Sequence, residues 1–157
     1  MVNPKIEKLP KQAQVMLLGI ALSALGNGLV LPYTFIYFHN IRGFPIAVAG
    51  LIASYGAFSS LAISPLVGNL IDKWGPKPVL ITSLLVSFVG YFSLSQVKTI
   101  TQAFLVTTIC ATGQSAMWPS QSAISTELTP EHLRERIYGA QFAMLNLGIG
   151  IGGLVSS

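Results

Sequence analysis

The sequence predicts an all-α integral membrane protein, and three observations carry that prediction. Only 9% of the 157 residues are charged, 52% are hydrophobic, and the mean hydropathy is +0.65. A soluble domain carries about 25% charged residues. The nine basic and five acidic residues are confined to a few short segments or single positions, leaving five long charge-free stretches between them. Those stretches are continuous apolar runs without alternation, which favours helices over the strands of a barrel. A soluble enzyme, a nucleic-acid binder and a disordered tail are thereby excluded. The sequence pI of 9.4 does not restore a nucleic-acid partner, because the basic residues are spread out and form no patch. The single cysteine, Cys110, lies in an apolar run, so no intrachain disulfide and no zinc-type cluster is expected. No cofactor is expected either.

The charge-free stretches run from Gln12 to Ile41, Gly43 to Ile71, Pro78 to Val97, Thr99 to Thr126 and Ile137 to Ser157. Each reaches the roughly 20 residues that a helix needs to cross the hydrocarbon core. A charge at the centre of such a helix costs about 2.5–3.5 kcal/mol on insertion scales, which accounts for the sharp gaps. The predicted organisation is a cytoplasmic segment 1–12, spans at 13–38, 44–70, 79–97, 101–125 and 138–157, and cytoplasmic loops at 71–78 and 126–137, the second with a short helix. The fifth span has no polar flank after Gly152-Gly153-Leu154-Val155-Ser156-Ser157 and reads as truncated.

Lys5, Lys8 and Lys11 ahead of an apolar run resemble the start of a signal peptide, but the run continues to Phe38, so an uncleaved anchor is favoured. One set of loops carries Lys5, Lys8, Lys11, Lys73, Lys77, Arg134 and Arg136, whereas the other carries only Arg42 and Lys98. That asymmetry places the N-terminus in the cytoplasm, and the membrane is read as the plasma membrane. Pro32, Pro65 and Pro119 each remove a backbone donor within a span and are expected to bend their helices.

The segment Gly68-Asn69-Leu70-Ile71-Asp72-Lys73-Trp74-Gly75-Pro76-Lys77-Pro78 is the most informative. Gly75-Pro76 predicts a tight reversal, with proline in the first turn of the next helix, where its missing N–H is no loss. Gly68 is expected to let a neighbouring helix approach closely. Asp72 and Glu127 sit at helix C-termini, where the macrodipole disfavours carboxylates, and Arg134 and Arg136 sit near a helix start, also on the wrong pole. An ion-pair network joining these four beneath the bundle is the expectation. Thr129-Pro130-Glu131-His132 reads as a helix start capped by the Thr129 hydroxyl. His39 and His132, far apart and without a nearby carboxylate, are read as surface polar residues with no metal or catalytic role.

These residues resemble the major facilitator superfamily. The 68–78 segment is similar to that family's signature loop between the second and third helices, of the form G-x-L-x-D-[RK]-x-G-[RK]-[RK]. Gly68, Leu70, Asp72, Lys73, Gly75 and Lys77 match it, and Pro76 replaces one basic position. The Glu127 to Gly139 segment, with Pro130 and Arg134, resembles the family's loop into its fifth helix. The resemblance implies the first five of twelve helices, a missing C-terminal half of the same polypeptide, and a gating role for Asp72 as a latch between two six-helix halves. Gly68, Lys73, Gly75, Lys77, Glu127, Arg134 and Arg136 join it as gating candidates.

Finer motifs resemble the drug–proton antiporter branch. Leu25-Gly26 with Pro32 is similar to its L-G-x-x-x-x-x-P element, and Gly113 fits R-x-x-Q-G, with Ile109 and Thr112 in place of arginine and glutamine. Gly148 and Gly152 fit G-x-x-x-G-P-x-x-G-G, with Gly153 replacing the proline and Ser156-Ser157 replacing the last glycines. Gly148 and Gly152 are read as helix-packing positions.

Central-cavity candidates are Asn27, Tyr33, Tyr55, Gln114, Trp118, Gln121 and Asn146, since midplane sites hold the substrate in such carriers. Interhelical hydrogen bonding for the amides and interfacial anchoring for the aromatics are the competing roles. No carboxylate, lysine or arginine lies at mid-span, where a proton relay needs one. The expected activity is secondary active transport by alternating access of a small amphipathic or apolar solute, of the multidrug-efflux type, with a proton or ion as coupling partner and the lipid bilayer as surroundings. A truncated membrane protein with a structural or assembly role is the alternative, and no enzymatic site is read.

Overall fold

The computed structural model describes residues 8–155, with Leu31 and Pro32 described by backbone alone. Lys5, Ser156 and Ser157 lie outside the described residues. The described residues form five long helices and contain no strand: α1 (Lys11–Ile36), α2 (Ile46–Trp74), α3 (Pro76–Leu94), α4 (Ile100–Glu127) and α5 (Arg134–Val155). A π-helical turn at Tyr37–Ile41 extends α1, and a 3-10 turn at Glu131–Leu133 leads directly into α5. The backbone stays helical through Pro32, and α2 and α4 run uninterrupted past Pro65 and Pro119.

Successive helices alternate in direction. One apolar cluster joins Phe38, Phe44, Ala49, Val97 and Ala103, and so gathers the end of α1, the start of α2, the end of α3 and the start of α4. Ala13, Leu17 and Ile137 pack the starts of α1 and α5 together at the opposite end. Val67, Val79 and Ala116 join α2, α3 and α4. The two ends are called here the Arg42 end and the Asp72 end.

Glycines set the closest helix pairs. A Cβ on Gly148 would lie 2.6 Å from the Ala24 Cβ and 2.8 Å from the Ala21 carbonyl oxygen, and one on Gly152 would lie 2.5 Å from the Leu25 carbonyl oxygen. Gly28 faces the Ile149 backbone in the same seam. Gly148 and Gly152 are therefore packing positions, which let α1 and α5 touch backbone to backbone. Gly90 against Cys110, and Gly113 against Ser83 and Ser87, do the same for α3 and α4. Gly68 behaves otherwise than expected: a Cβ there would meet nothing within 4 Å, because it sits on an exposed face of α2.

Among the described residues four helices are long and apolar enough to cross a membrane: α1 with its π-turn, α2, α3, and α5 with its 3-10 turn. The sequence reading has five spans, and α4, although 28 residues long, falls short of that apolarity. Its hydroxyls are the reason. Thr108, Thr112, Ser115 and Thr126 each donate to a carbonyl three or four residues earlier on α4 itself, at 2.8–2.9 Å. Such back-bonding satisfies a hydroxyl without any partner outside the helix. Large apolar side chains face outward on every helix, among them Leu22, Phe58, Phe88, Leu105 and Leu154.

The Arg42 end is tied by polar contacts. The Tyr37 hydroxyl, aimed by the π-turn, donates to the Leu94 carbonyl at 2.9 Å. Arg42 donates from Nε to that hydroxyl at 2.7 Å and from Nη2 to the Ser95 carbonyl at 2.7 Å. The arginine thus neutralises free carbonyls at the C-terminus of α3, the pole that favours a cation. His39, read as a surface residue, donates through Nδ1 to the Phe44 carbonyl at 2.9 Å. Arg42→Ala is expected to destabilise the bundle by about 1.5–3 kcal/mol, the range for hydrogen bonds to a charged group. Arg42→Lys, which lacks the planar fork, should recover only part of that loss. A melting series of the three proteins in one detergent checks both statements.

Candidate functional site

The Asp72 end holds the signature-loop residues. Asp72 and Lys73 are exposed on the last turn of α2, and Lys77 is exposed on the first turn of α3. Gly75 has φ +82° and ψ 161°, a conformation essentially reserved for glycine, and Pro76 opens α3. Glu127 closes α4, Arg134 opens α5, and Arg136 follows within its first turn, all three exposed.

The expected four-residue network is not assembled: among the described residues no ion pair joins Asp72 or Glu127 to Arg134. Packing supplies the reason. α5 lies along α1 and touches α4 only lightly, whereas α2 packs on α4, so the ends of α2 and α5 share no face. Thr129 also departs from expectation. Its hydroxyl caps nothing and is buried without a partner, because Pro130 takes the N-cap position of the 3-10 turn.

A different set of residues comes together deeper in the bundle. The Gln114 Nε2 of α4 donates to Asn27 Oδ1 of α1 at 2.8 Å and to the Tyr91 hydroxyl of α3 at 2.7 Å. One amide thereby links three helices. It stands in the wall between two cavities. The first, about 210 Å³, lies among α1, α4 and α5 and is lined by Ser23, Asn27, Gln114, Met117, Trp118 and Gln121 with apolar neighbours. The second, about 360 Å³, lies among α1, α2, α3 and α4, where Phe35, Phe38, Ile52, Gly56 and Cys110 make a mainly apolar lining. Tyr33 lines a third cavity of about 280 Å³ between α1 and α3, with Tyr37 and Leu94.

Four of the seven cavity candidates, Asn27, Gln114, Trp118 and Gln121, thus share one cavity. The other three do not join them. Tyr33 lies in the α1–α3 cavity, and the Tyr55 hydroxyl pairs with Thr108 Oγ1 at 3.1 Å between α2 and α4. Asn146 is exposed and donates to the Phe142 carbonyl of its own helix at 2.7 Å. Tyr91 is the residue that sequence reasoning missed. As one aromatic in the apolar run of α3, it looks like any lipid-facing ring, and only the position of Gln114 opposite marks it. Met117 was missed for the same reason.

The chemistry of this region is that of binding. Amides, a hydroxyl, a thioether and an indole can orient a ligand by hydrogen bonds and stacking, and none of them forms a nucleophile–base pair. The lining is also free of charge, since no charged residue lies between Thr99 and Thr126 or between Gln12 and Ile41.

The chain is 29% identical over 150 residues to the quinolone resistance protein NorA of Staphylococcus aureus, covering 93% of this chain and 38% of the relative. It is 26% identical over 152 residues to the uncharacterised MFS-type transporter YttB of Bacillus subtilis, covering 95% of this chain and 38% of the relative. The chain therefore spans less than half the length of the curated relatives it matches. A family profile matches residues 16–157, almost the whole chain. With its helices, its signature loop and that match taken together, the chain belongs to the Major Facilitator Superfamily and is a multi-pass membrane protein.

Proposed function

We propose that the chain is part of a secondary active carrier that moves a small amphipathic or apolar solute by alternating access, in the efflux sense. The observation that carries this reading is the convergence of Asn27, Gln114, Trp118 and Gln121 on one uncharged cavity between helices of a membrane bundle. A neutral cavity of this kind is a poor host for a sugar phosphate or nucleotide, whose charge would stay uncompensated. NorA, named for quinolone resistance, is consistent with export of such solutes.

On this reading α4 crosses the membrane as well, with its polar side facing the bundle interior and its hydroxyls bonded to its own carbonyls. The N-terminus lies in the cytoplasm, the membrane is the plasma membrane, and the coupling acid or ion site lies outside the helices described. Asp72 serves as a conformational latch with Gly68, Lys73, Gly75, Lys77, Glu127, Arg134 and Arg136 around it. Its counterpart would be a second helical half, which the greater length of the relatives accommodates.

The test is energised extrusion of N-phenylnaphthylamine, a neutral dye that fluoresces in lipid, from vesicles of cells expressing the native protein. Wild-type protein should lower the fluorescence when the membrane is energised. Asp72→Asn should slow that decay about tenfold, equivalent to about 1.4 kcal/mol on the conformational step, at an unchanged membrane level. No energised movement in wild type would contradict transport of such solutes, and a wild-type rate in Asp72→Asn would contradict the latch.

A further inference from the structure

The Asn27–Gln114 contact is a single amide–amide hydrogen bond, and a single bond leaves half of each amide unused. Both Gln114 N–H groups are engaged, one by Asn27 Oδ1 and one by the Tyr91 hydroxyl, so Gln114 Oε1 is left as an acceptor. Asn27 Oδ1 is the accepting atom, so Asn27 Nδ2 is left as a donor. Neither residue is fully buried, and neither of these two atoms is among the buried polar atoms that lack a partner, so both reach open space. Asn27 and Gln114 both line the 210 Å³ cavity. Inverting the two amides together exchanges the poles and leaves the same complement of one donor and one acceptor.

We propose that this free donor and acceptor form a recognition edge for an uncharged amide-like group, so that the preferred substrates are aromatic or apolar molecules carrying a primary amide, lactam or similar donor–acceptor edge. The inference rests on the reading of this cavity as a substrate site and names what that site selects. An amide presents a carbonyl to Asn27 Nδ2 and an N–H to Gln114 Oε1. Trp118, about two-fifths exposed, offers an indole face for an attached ring, and Met117 offers a polarisable neighbour. A ketone of the same shape satisfies the donor and leaves the acceptor unpaired. A carboxylate leaves the acceptor facing negative charge with no cation in the wall. Sites built to pair a particular polar group discriminate strongly against analogues that lack it, because the site's own groups are then left without partners.

Quenching of Trp118 fluorescence tests this directly. In the native protein every tryptophan other than Trp118, Trp74 among them, is replaced by phenylalanine, so that Trp118 alone gives the signal. Purified protein carrying those substitutions is titrated with 1-naphthamide, 1-acetonaphthone and 1-naphthoate. The amide should half-saturate at about one-tenth the concentration that the ketone or the carboxylate needs, the factor expected of one or two added hydrogen bonds. Gln114→Leu and Gln114→Met should bring amide and ketone to within about twofold of each other, circular dichroism reporting whether each variant is folded. Equal binding of amide and ketone without the Gln114 substitutions overturns the proposal, and so does quenching by none of the three. A preference that survives in both variants overturns it as well. Extrusion of N-phenylnaphthylamine without an amide preference would defeat this inference and leave the carrier standing. An amide preference in a protein that extrudes no dye would do the reverse.

Discussion

Gly148→Leu is expected to detach α5 from α1 and leave little folded protein in the membrane. A Cβ alone at this position would lie 2.8 Å from the Ala21 carbonyl oxygen and 2.9 Å from the Leu25 amide nitrogen. These are backbone atoms of α1 and cannot rotate aside. Overpacking by a methylene or two costs about 1–3 kcal/mol in a close-packed interior, and leucine adds four carbons. In lipid the loss is harder to recover, because helix association there depends on close packing more than on burial of apolar area from water. Gly150→Leu is the control, since a Cβ at Gly150 meets nothing within 4 Å. Size-exclusion profiles of fluorescently tagged proteins in detergent should show a monodisperse peak for wild type and Gly150→Leu and a collapsed one for Gly148→Leu. Equal peaks for the two variants would refute the seam.

The second large effect is expected at the turn between α2 and α3. Gly75→Val forces a β-branched residue into φ +82° and ψ 161°, at a cost of about 1–3 kcal/mol for the conformation alone. The residue also precedes Pro76, whose ring restricts its escape to other backbone conformations. Val79 at the start of α3 packs with Val67 of α2, so strain in the turn reaches that cluster. Gly68→Ala in the same signature segment should leave the melting temperature near that of wild type, because nothing lies within 4 Å of the added carbon. Thermal melts of the two variants decide the matter: similar losses would mean that the motif acts as one unit, and unequal losses would assign its stability role to Gly75.

Much of this architecture is legible in the residues because it follows from local rules. Charge-free runs bounded by Lys11, Arg42, Asp72, Lys77 and Lys98 mark the helices, since a bilayer excludes charge from span interiors. Gly75-Pro76 marks a turn that only glycine can make. Features that depend on which helices become neighbours are not legible in the same way. The paired expectation for Asp72 and Arg134 came from helix poles, and poles say nothing about whether α2 and α5 meet. Gly68 and Gly148 look alike in sequence, yet one faces open space and the other a helix backbone. Asn27 and Gln114 were identified as polar groups in apolar runs, whereas Tyr91 became visible only through the hydrogen bond that Gln114 donates to it. The reduced apolarity of α4 has the same origin, since Thr108, Thr112, Ser115 and Thr126 bond to carbonyls of the helix itself and the Gln114 amide bonds across to neighbours.

The glycine seams also divide the bundle mechanically. α1 and α5 are joined backbone to backbone through Gly28, Gly148 and Gly152, and α3 and α4 are joined likewise through Gly90 and Gly113, with α2 laid against α4. Between these two blocks the contact is sparse. A tilt of one block against the other would therefore leave both seams intact and load the side-chain bonds between the blocks, Asn27 with Gln114 and Tyr91, Ser125 with Gln141, and Thr126 with Tyr138. The Arg42–Tyr37 tie holds the end of α1 to the end of α3, so that end would act as the pivot. At the opposite end the Gln141–Ser125 and Thr126–Tyr138 bonds between α5 and α4 would have to open before Asp72 and Arg134 could move apart, so those two pairs would act as the clasp of the lever.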